Sequence, residues 1–316
     1  MKILVALPLN ERQKEKLEQN FRHQEFVYCL PEELTKETIS DVEVILGNVP
    51  QELLVYAGKL KWLQLNNAGT EGYCDGALPE EVLLTNATGA YGLAISEHMI
   101  GMLFELQKKL NLYAANQRAH IWKEEGNVRL IEGSRVLVIG LGDIGTAFAR
   151  KMKGLGCRTV GIKRREARKP EGVDDLFTLE RLEQQLPKAD IVALCLPGYE
   201  GTYHMLNEER IAMLKENAVV LNVGRGMTVD TEALTKALRE GRIAGACLDV
   251  TDPEPLPSEH PLWDMDNVIL TPHVSGRFSL PETLEKILNI CIENLECYLV
   301  KRPLRNVIDR KTGYRM

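Results

Sequence analysis

No apolar run in this 316-residue chain approaches the roughly 20 residues that a membrane span needs. Basic charge is not in excess either. The formal net charge of -6 gives no sequence-independent attraction to DNA or RNA, whose binders usually carry a basic patch. Cys-x-x-Cys pairs are missing. The seven cysteines (29, 74, 157, 195, 247, 291 and 297) sit mostly in apolar company and are odd in number, which argues against a zinc site and for reduced, buried thiols in a cytoplasmic protein. Solenoid-length repeats and low-complexity segments are absent too. What remains is a globular composition, 44% hydrophobic and 27% charged, long enough for two domains. The opening run Met1–Leu7 breaks at Pro8 and has no small-residue cleavage site, so a first β-strand is expected there rather than a secretory leader.

The first hundred residues alternate short apolar runs with helical spacing. Strands are expected at Ile3–Leu7, Phe26–Cys29, Val42–Leu46, Trp62–Leu65 and Val82–Asn86, with helical segments such as Asn10–Asn20 and Pro50–Gly58 between them. Such alternation predicts a parallel sheet covered by helices. A long amphipathic helix follows, with Ser96 as its expected N-cap and its end near Arg118. A second α/β series starts at the almost wholly apolar Arg135–Ile139. It continues through Thr159–Ile162, Ile191–Leu196, Val219–Val223, Gly245–Asp249 and Val268–Thr271. Pro281–Val300 has helical spacing, and Leu304–Ile308 is expected to return to the first domain.

Between a strand and a helix lies Gly140-Leu141-Gly142-Asp143-Ile144-Gly145. In a Gly-x-Gly-x-x-Gly turn the first glycine makes the tight turn, the second lets backbone approach a pyrophosphate, and the third allows close helix–strand packing. The helix N-terminus then offers free N–H groups and a positive dipole end to phosphates. Alone the motif is weak, but strand, turn, helix and second strand occur here in order. Where an NAD-binding domain places an acid on the adenosine ribose, this chain has none until Glu166. Its second strand ends in Gly161-Ile162-Lys163-Arg164-Arg165. Lys163, Arg164 and Arg165 can clamp a 2′-phosphate, so NADP(H) is expected over NAD(H), the bland alternative being a solvated basic turn.

Three further residues occupy distinctive phrases near strand ends: Arg225 in Val223-Gly224-Arg225-Gly226, Glu254 in Pro253-Glu254-Pro255-Leu256-Pro257, and His273 in Thr271-Pro272-His273-Val274-Ser275-Gly276. A planar guanidinium suits a carboxylate with a neighbouring oxygen. Imidazole can donate a proton near neutral pH, and a carboxylate on its far nitrogen would favour the protonated ring. Taken singly, each has a bland reading: a surface cation, a solvated acid in a proline-rich loop, a capped loop histidine. His23, His98, His120, His204 and His260 are read as structural or surface residues.

These phrases, with Ser96-Glu97-His98, Leu194-Cys195-Leu196-Pro197, Asn222-Val223 and Leu248-Asp249-Val250, resemble the D-isomer-specific 2-hydroxyacid dehydrogenases over nearly the whole chain, most strongly from Gly89 to Gly276. The resemblance implies an α/β protein of two doubly wound parallel-sheet domains. A Rossmann domain at 99–285 would be inserted in a flavodoxin-like substrate domain made of 1–98 and 286–316. It implies Arg225 as substrate binder, His273 as acid/base and Glu254 as its partner. Asp249 and Ser275 would lie near the nicotinamide carboxamide, Leu196 and Pro197 beside the adenine, with Val223 and Gly276 completing the cofactor set. The substrate carboxylate would rest on backbone N–H groups of the loop Asn67-Ala68-Gly69-Thr70-Glu71, in a cleft between the domains, and the family forms homodimers through its nucleotide-binding domains. Tyr91 stands where many members carry a smaller polar residue, so it either lines the substrate pocket or is a core aromatic; Trp263 either reaches the cleft or packs its own loop.

The expected activity is NADPH-linked reduction of a small 2-oxo acid to the D-2-hydroxy acid, without a metal. The alternatives are a dinucleotide-sensing, corepressor-like binding protein and an NAD-linked 2-hydroxyacid or phosphoglycerate dehydrogenase.

Overall fold

Strand runs that are apolar on both faces need helices on both sides of their sheet, and the chain supplies them. The computed structural model describes residues 1–74, 76, 78–278, 280–310 and 313–315. They divide into two units, Met1–Tyr91 with Phe278–Met316, and Gly92–Arg277. Against the sequence-based boundaries at 98/99 and 285/286, both divisions fall earlier. The reason at the first is that the long helix starts before Ser96. It spans Gly92–Gln107, and the Gly92 N–H donates to Asp143 Oδ2 at 2.8 Å within the second unit. Ser96 is therefore not an N-cap. It is fully buried inside the helix, its hydroxyl donating to the Leu93 carbonyl. Lys109, in the left-handed region at φ 56°, breaks the helix before a second segment, Leu110–Arg118.

In the first unit β1 (Lys2–Val5), β2 (Glu25–Tyr28), β3 (Val44–Leu46), β4 (Trp62–Gln64) and β5 (Leu83–Thr85) form a parallel sheet in the order β2-β1-β3-β4-β5. This is the flavodoxin-like order. The C-terminal helix Pro281–Leu299 joins the unit through a buried polar chain. Trp62 Nε1 donates to Thr85 Oγ1 (2.8 Å), Thr85 Oγ1 to Gln64 Oε1 (2.8 Å), and Asn294 Nδ2 to the same Gln64 oxygen (2.7 Å). Trp62 also stacks on Tyr298, with centroids 5.2 Å apart. A buried network with its partners in place specifies one packing of helix on sheet, because any slip would orphan a polar group.

In the second unit β6 (Arg135–Ile139), β7 (Arg158–Lys163), β8 (Asp175–Thr178), β9 (Ile191–Leu194), β10 (Val219–Asn222), β11 (Gly245–Leu248) and β12 (Val268–Leu270) form a parallel sheet in the order β12-β11-β10-β9-β6-β7-β8. This is the doubly wound Rossmann order extended by one strand. The apolar pattern did not signal β8, an edge strand whose four residues are all half-buried. All seven cysteines are free thiols. Burial pushes Cys291 up to about 12 and raises Cys157 and Cys247, which keeps them protonated and unreactive.

Candidate active site

Because the second sheet is parallel, the loops after β6, β7, β9, β10, β11 and β12 all leave from one edge. That edge carries the glycine turn, Lys163, Leu196-Pro197, Arg225, Glu254 and His273. Each glycine of the turn has a separate physical reason. Gly140 adopts φ +96°, and a Cβ on it would lie 2.6 Å from the Cys195 carbonyl oxygen. At Gly145 a Cβ would lie 2.0 Å from the Gly140 oxygen, so the helix could not approach the strand. Gly142 is different. Nothing lies within 4 Å of its Cβ position, so internal packing does not require glycine there. Close approach of an outside group such as a pyrophosphate does require it, and the turn fits a dinucleotide on that ground. Asp143, expected among the cofactor residues, directs its carboxylate to the Gly92 N–H, while its backbone opens the helix Asp143–Gly154 next to Ile144.

Arg225 is held by its own main chain. Its carbonyl accepts from Asn222 Nδ2 (3.0 Å), Thr228 Oγ1 (2.7 Å) and the Thr228 N–H (3.1 Å), and Asn222 Oδ1 accepts from the Gly224 N–H (3.1 Å). A Cβ on Gly224 would lie 2.3 Å from the Leu196 oxygen, and one on Gly226 1.8 Å from the Thr251 oxygen. Thus the two glycines permit the arginine loop to press between the loops after β9 and β11. The guanidinium Nη1 donates to the Gly224 carbonyl at 2.8 Å. Neighbouring Val223 is buried, and Leu196 and Pro197 are half-buried and exposed.

The structure brings His273 and Glu254 together. Nδ1 of His273 lies 2.6 Å from Glu254 Oε1, with 46% and 42% of the two side chains exposed. With Nδ1 committed to the carboxylate, Nε2 is the ring nitrogen left for chemistry. Asp249, expected beside the nicotinamide carboxamide, is only 1% exposed and turns inward. Its Oδ1 accepts from Thr271 Oγ1 (2.6 Å) and the Val274 N–H (3.0 Å), and its Oδ2 from the Ser275 N–H (3.2 Å) and the Ser275 hydroxyl. Gly276 follows, half-buried. Three residues of this edge escaped the sequence reading: Asn222, Thr271 and His98. The first two stand inside phrases already singled out, each as the last polar residue before a functional one. His98 stands in the phrase Ser96-Glu97-His98 and by itself reads as a structural histidine; its Nε2 meets Thr271 Oγ1 at 2.9 Å.

Lys163 is half-buried at the end of β7, and Arg164 and Arg165 are exposed beyond it. Arg164 and Arg165 line an open pocket of about 680 Å³ together with Arg210 and the acids Glu166, Glu180 and Glu183. In the first unit the loop 67–70 is held from its oxygen side. The Asn67 carbonyl accepts from the Ala87 N–H (2.8 Å), and the Ala68 carbonyl from Asn86 Nδ2 (2.6 Å). Thr70 is buried and its hydroxyl donates to the Gly313 carbonyl at 3.0 Å; Gly69 is half-buried. Tyr91 is 5% exposed and its hydroxyl donates to the Asn66 carbonyl, so this side chain braces the root of the loop. Burial holds its phenol well above the usual range. Trp263 donates its Nε1–H to the Pro257 carbonyl at 2.9 Å, which ties it to its own loop.

Doubly wound sheets take a dinucleotide where the winding reverses, here between β6 and β9, and an imidazole–carboxylate pair on the same edge can exchange the proton that accompanies a hydride. Those two features define the class as dinucleotide-dependent oxidoreductases. The model of the D-isomer specific 2-hydroxyacid dehydrogenase NAD binding domain matches residues 100–275. The glyoxylate reductase of Thermococcus litoralis is 32% identical over 288 residues, 88% of this chain and 86% of that one. Among solved structures, a D-isomer specific 2-hydroxyacid dehydrogenase family protein from Aeromonas salmonicida is 28% identical with a TM-score of 0.87, covering 98% of this chain and 99% of that one. A D-isomer specific 2-hydroxyacid dehydrogenase from Xanthobacter autotrophicus, in complex with NADPH and MES, is 28% identical with a TM-score of 0.82 and covers 99% of both chains. The chain belongs to the D-isomer-specific 2-hydroxyacid dehydrogenase family, whose members are NAD(P)-dependent oxidoreductases.

Proposed function

We propose that this enzyme reduces a small 2-oxo acid of the glyoxylate or hydroxypyruvate type to the D-2-hydroxy acid, with NADPH preferred over NADH. The observation that carries the reading is the 2.6 Å His273–Glu254 pair on the sheet edge that also bears the glycine turn and the braced Arg225. The nicotinamide, when bound, supplies a hydride to C2. Arg225 binds the carboxylate and draws electron density from the carbonyl oxygen. His273 gives the proton from Nε2 to that oxygen, and Glu254 stabilises the charged ring and fixes its orientation. Backbone N–H groups of Ala68, Gly69 and Thr70 hold the acid, with Tyr91 bracing their loop from behind. The turn Gly140–Gly145, Leu196, Pro197, Val223, Ser275 and Gly276 would hold the cofactor. The glyoxylate reductase and the NADPH complex among its relatives support both halves of the reading.

Cofactor preference rests on Lys163, Arg164 and Arg165. A charge-assisted hydrogen bond to a phosphate contributes roughly 1.5–3 kcal/mol, so kcat/KM should favour NADPH over NADH by at least about tenfold, and Arg164→Ala/Arg165→Ala should remove most of that ratio. A higher kcat/KM with NADH in the wild-type enzyme would end this part of the proposal.

A homodimer is proposed as well. The segment after Arg118 runs without helix or strand from 121 to 131 and exposes Ile121, Trp122, Val128 and Leu130, apolar surface that a second copy would cover. Sedimentation velocity should give the mass of two chains, and Trp122→Asp should shift it toward one. A wild-type monomer at micromolar concentration would refute the dimer.

A further inference from the structure

We propose that His98 and Thr271 are positioning residues for the reaction, forming a chain of hydrogen-bond donors that locks Asp249 as a clamp on the loop bearing His273. The inference rests on the reading of His273 as proton donor.

The clamp is visible in three consecutive backbone N–H groups. That of His273 donates to the Asp249 carbonyl (2.8 Å), that of Val274 to Asp249 Oδ1 (3.0 Å), and that of Ser275 to Asp249 Oδ2 (3.2 Å). One residue thus gathers the donors of a whole turn. It needs to, because His273 sits at φ 49°, in the left-handed region that a residue with a Cβ enters only when its surroundings over-determine it. Without the clamp the backbone would relax, and the ring would lose its aim at the reacting oxygen.

The direction of the chain follows from proton counting. The Thr271 hydroxyl has a single proton. At 2.6 Å from Asp249 Oδ1, which also accepts the Val274 N–H, that proton goes to the carboxyl oxygen, in preference to the weak acceptor Met102 Sδ at 3.7 Å. The Thr271 oxygen then accepts, so His98 Nε2, 2.9 Å away, carries a hydrogen and donates. His98 Nε2 itself is 3.8 Å from Asp249 Oδ1, too far for a direct hydrogen bond, so it acts through Thr271. His98 stands on the helix Gly92–Gln107 and Thr271 at the end of β12, so the chain fastens the catalytic loop to a rigid element outside it. Neither side chain is among those that would touch substrate, which makes them positioning residues rather than catalytic ones.

Four variants test this: Thr271→Val, which keeps shape and removes the hydroxyl; Thr271→Ser, which restores it; His98→Leu; and His98→Gln, whose amide nitrogen can stand in for Nε2. Amide hydrogen exchange on the unloaded protein should quicken at Val274 and Ser275 by about tenfold or more in Thr271→Val and His98→Leu, with other segments unchanged. Since small displacements of a reacting group are costly, kcat should fall about tenfold in the same two variants, while KM and the cofactor Kd stay within about threefold. Thr271→Ser and His98→Gln should recover most of both losses, and the double variant H98L/T271V should be little worse than T271V alone, since one chain is being cut twice. Should Thr271→Val not fold, His98→Leu carries the same expectation, its side chain being partly exposed. Unchanged exchange, or a kcat loss shared equally by Thr271→Ser, would overturn the clamp. Quickened exchange with undiminished kcat would overturn the positioning role. Failure of the His273 assignment would show separately, as retained turnover in His273→Ala.

Discussion

Replacing His273 by Ala is expected to lower kcat by roughly 10²–10⁴-fold, the usual contribution of a positioned general acid. Cofactor Kd should stay within about twofold, because the imidazole is committed at Nδ1 to Glu254 and offers Nε2 to the substrate oxygen. Stability should change by about 0.5 kcal/mol at most, since the side chain is 46% exposed and the loop is held by main-chain bonds that Ala retains. Glu254→Gln should fall between the variant and wild type. It keeps a hydrogen-bonding oxygen for Nδ1 and loses only the charge that stabilises the protonated ring. Steady-state kinetics over a panel of 2-oxo acids, with cofactor binding followed by fluorescence, checks all of this. A His273→Ala enzyme with near-normal kcat would remove the residue from the mechanism.

The second large effect is expected at Arg225. Two charge-assisted hydrogen bonds to the acid, at about 1.5–3 kcal/mol each, place the loss of kcat/KM in Arg225→Ala at roughly 10²–10⁴-fold. Both parameters should move. KM rises because the carboxylate loses its cation, and kcat falls because the carbonyl oxygen gains charge in the transition state with no guanidinium beside it. Arg225→Lys should recover part of KM and little of kcat, since an ammonium keeps the charge but cannot reproduce the planar fork. The backbone should be indifferent to either change, because the bonds from Asn222 and Thr228 end on the Arg225 carbonyl. An Arg225→Ala enzyme whose KM for the oxo acid is unchanged would exclude Arg225 as the carboxylate binder.

Much of this molecule is legible in its sequence, for reasons that are local. Strands of four to six apolar residues between polar turns announce a parallel sheet, and the strands of both sheets apart from β8 fall within a residue or two of the expected runs. Gly140 and Gly145 could be assigned because a tight turn and a close helix–strand contact admit only glycine. The helix start was misplaced because Ser96 has the chemistry of an N-cap. The actual start depends on Asp143, a residue distant in sequence that holds the Gly92 N–H. Strand β8 was missed because a half-buried edge shows no apolar run to detect. Asp249 is expected near the nicotinamide, and Tyr91 either in the substrate pocket or in the core; in the structure their polar atoms bond inward to Ser275 and Asn66. Both are polar groups beside functional phrases, and only their burial tells that they brace a loop.

By itself, then, the sequence determined the two parallel sheets, the glycine turn between strand and helix, and which side chains, Arg225, Glu254 and His273, stand at strand ends. Each of these follows from period, backbone freedom or side-chain type at short range. The tertiary structure alone decided how those groups are held. His98 and Thr271 are 173 residues apart, yet their polar atoms meet at 2.9 Å because helix and sheet edge pack together. No local pattern encodes such a contact. It comes from the requirement that the buried Asp249 carboxylate find donors wherever the fold brings them.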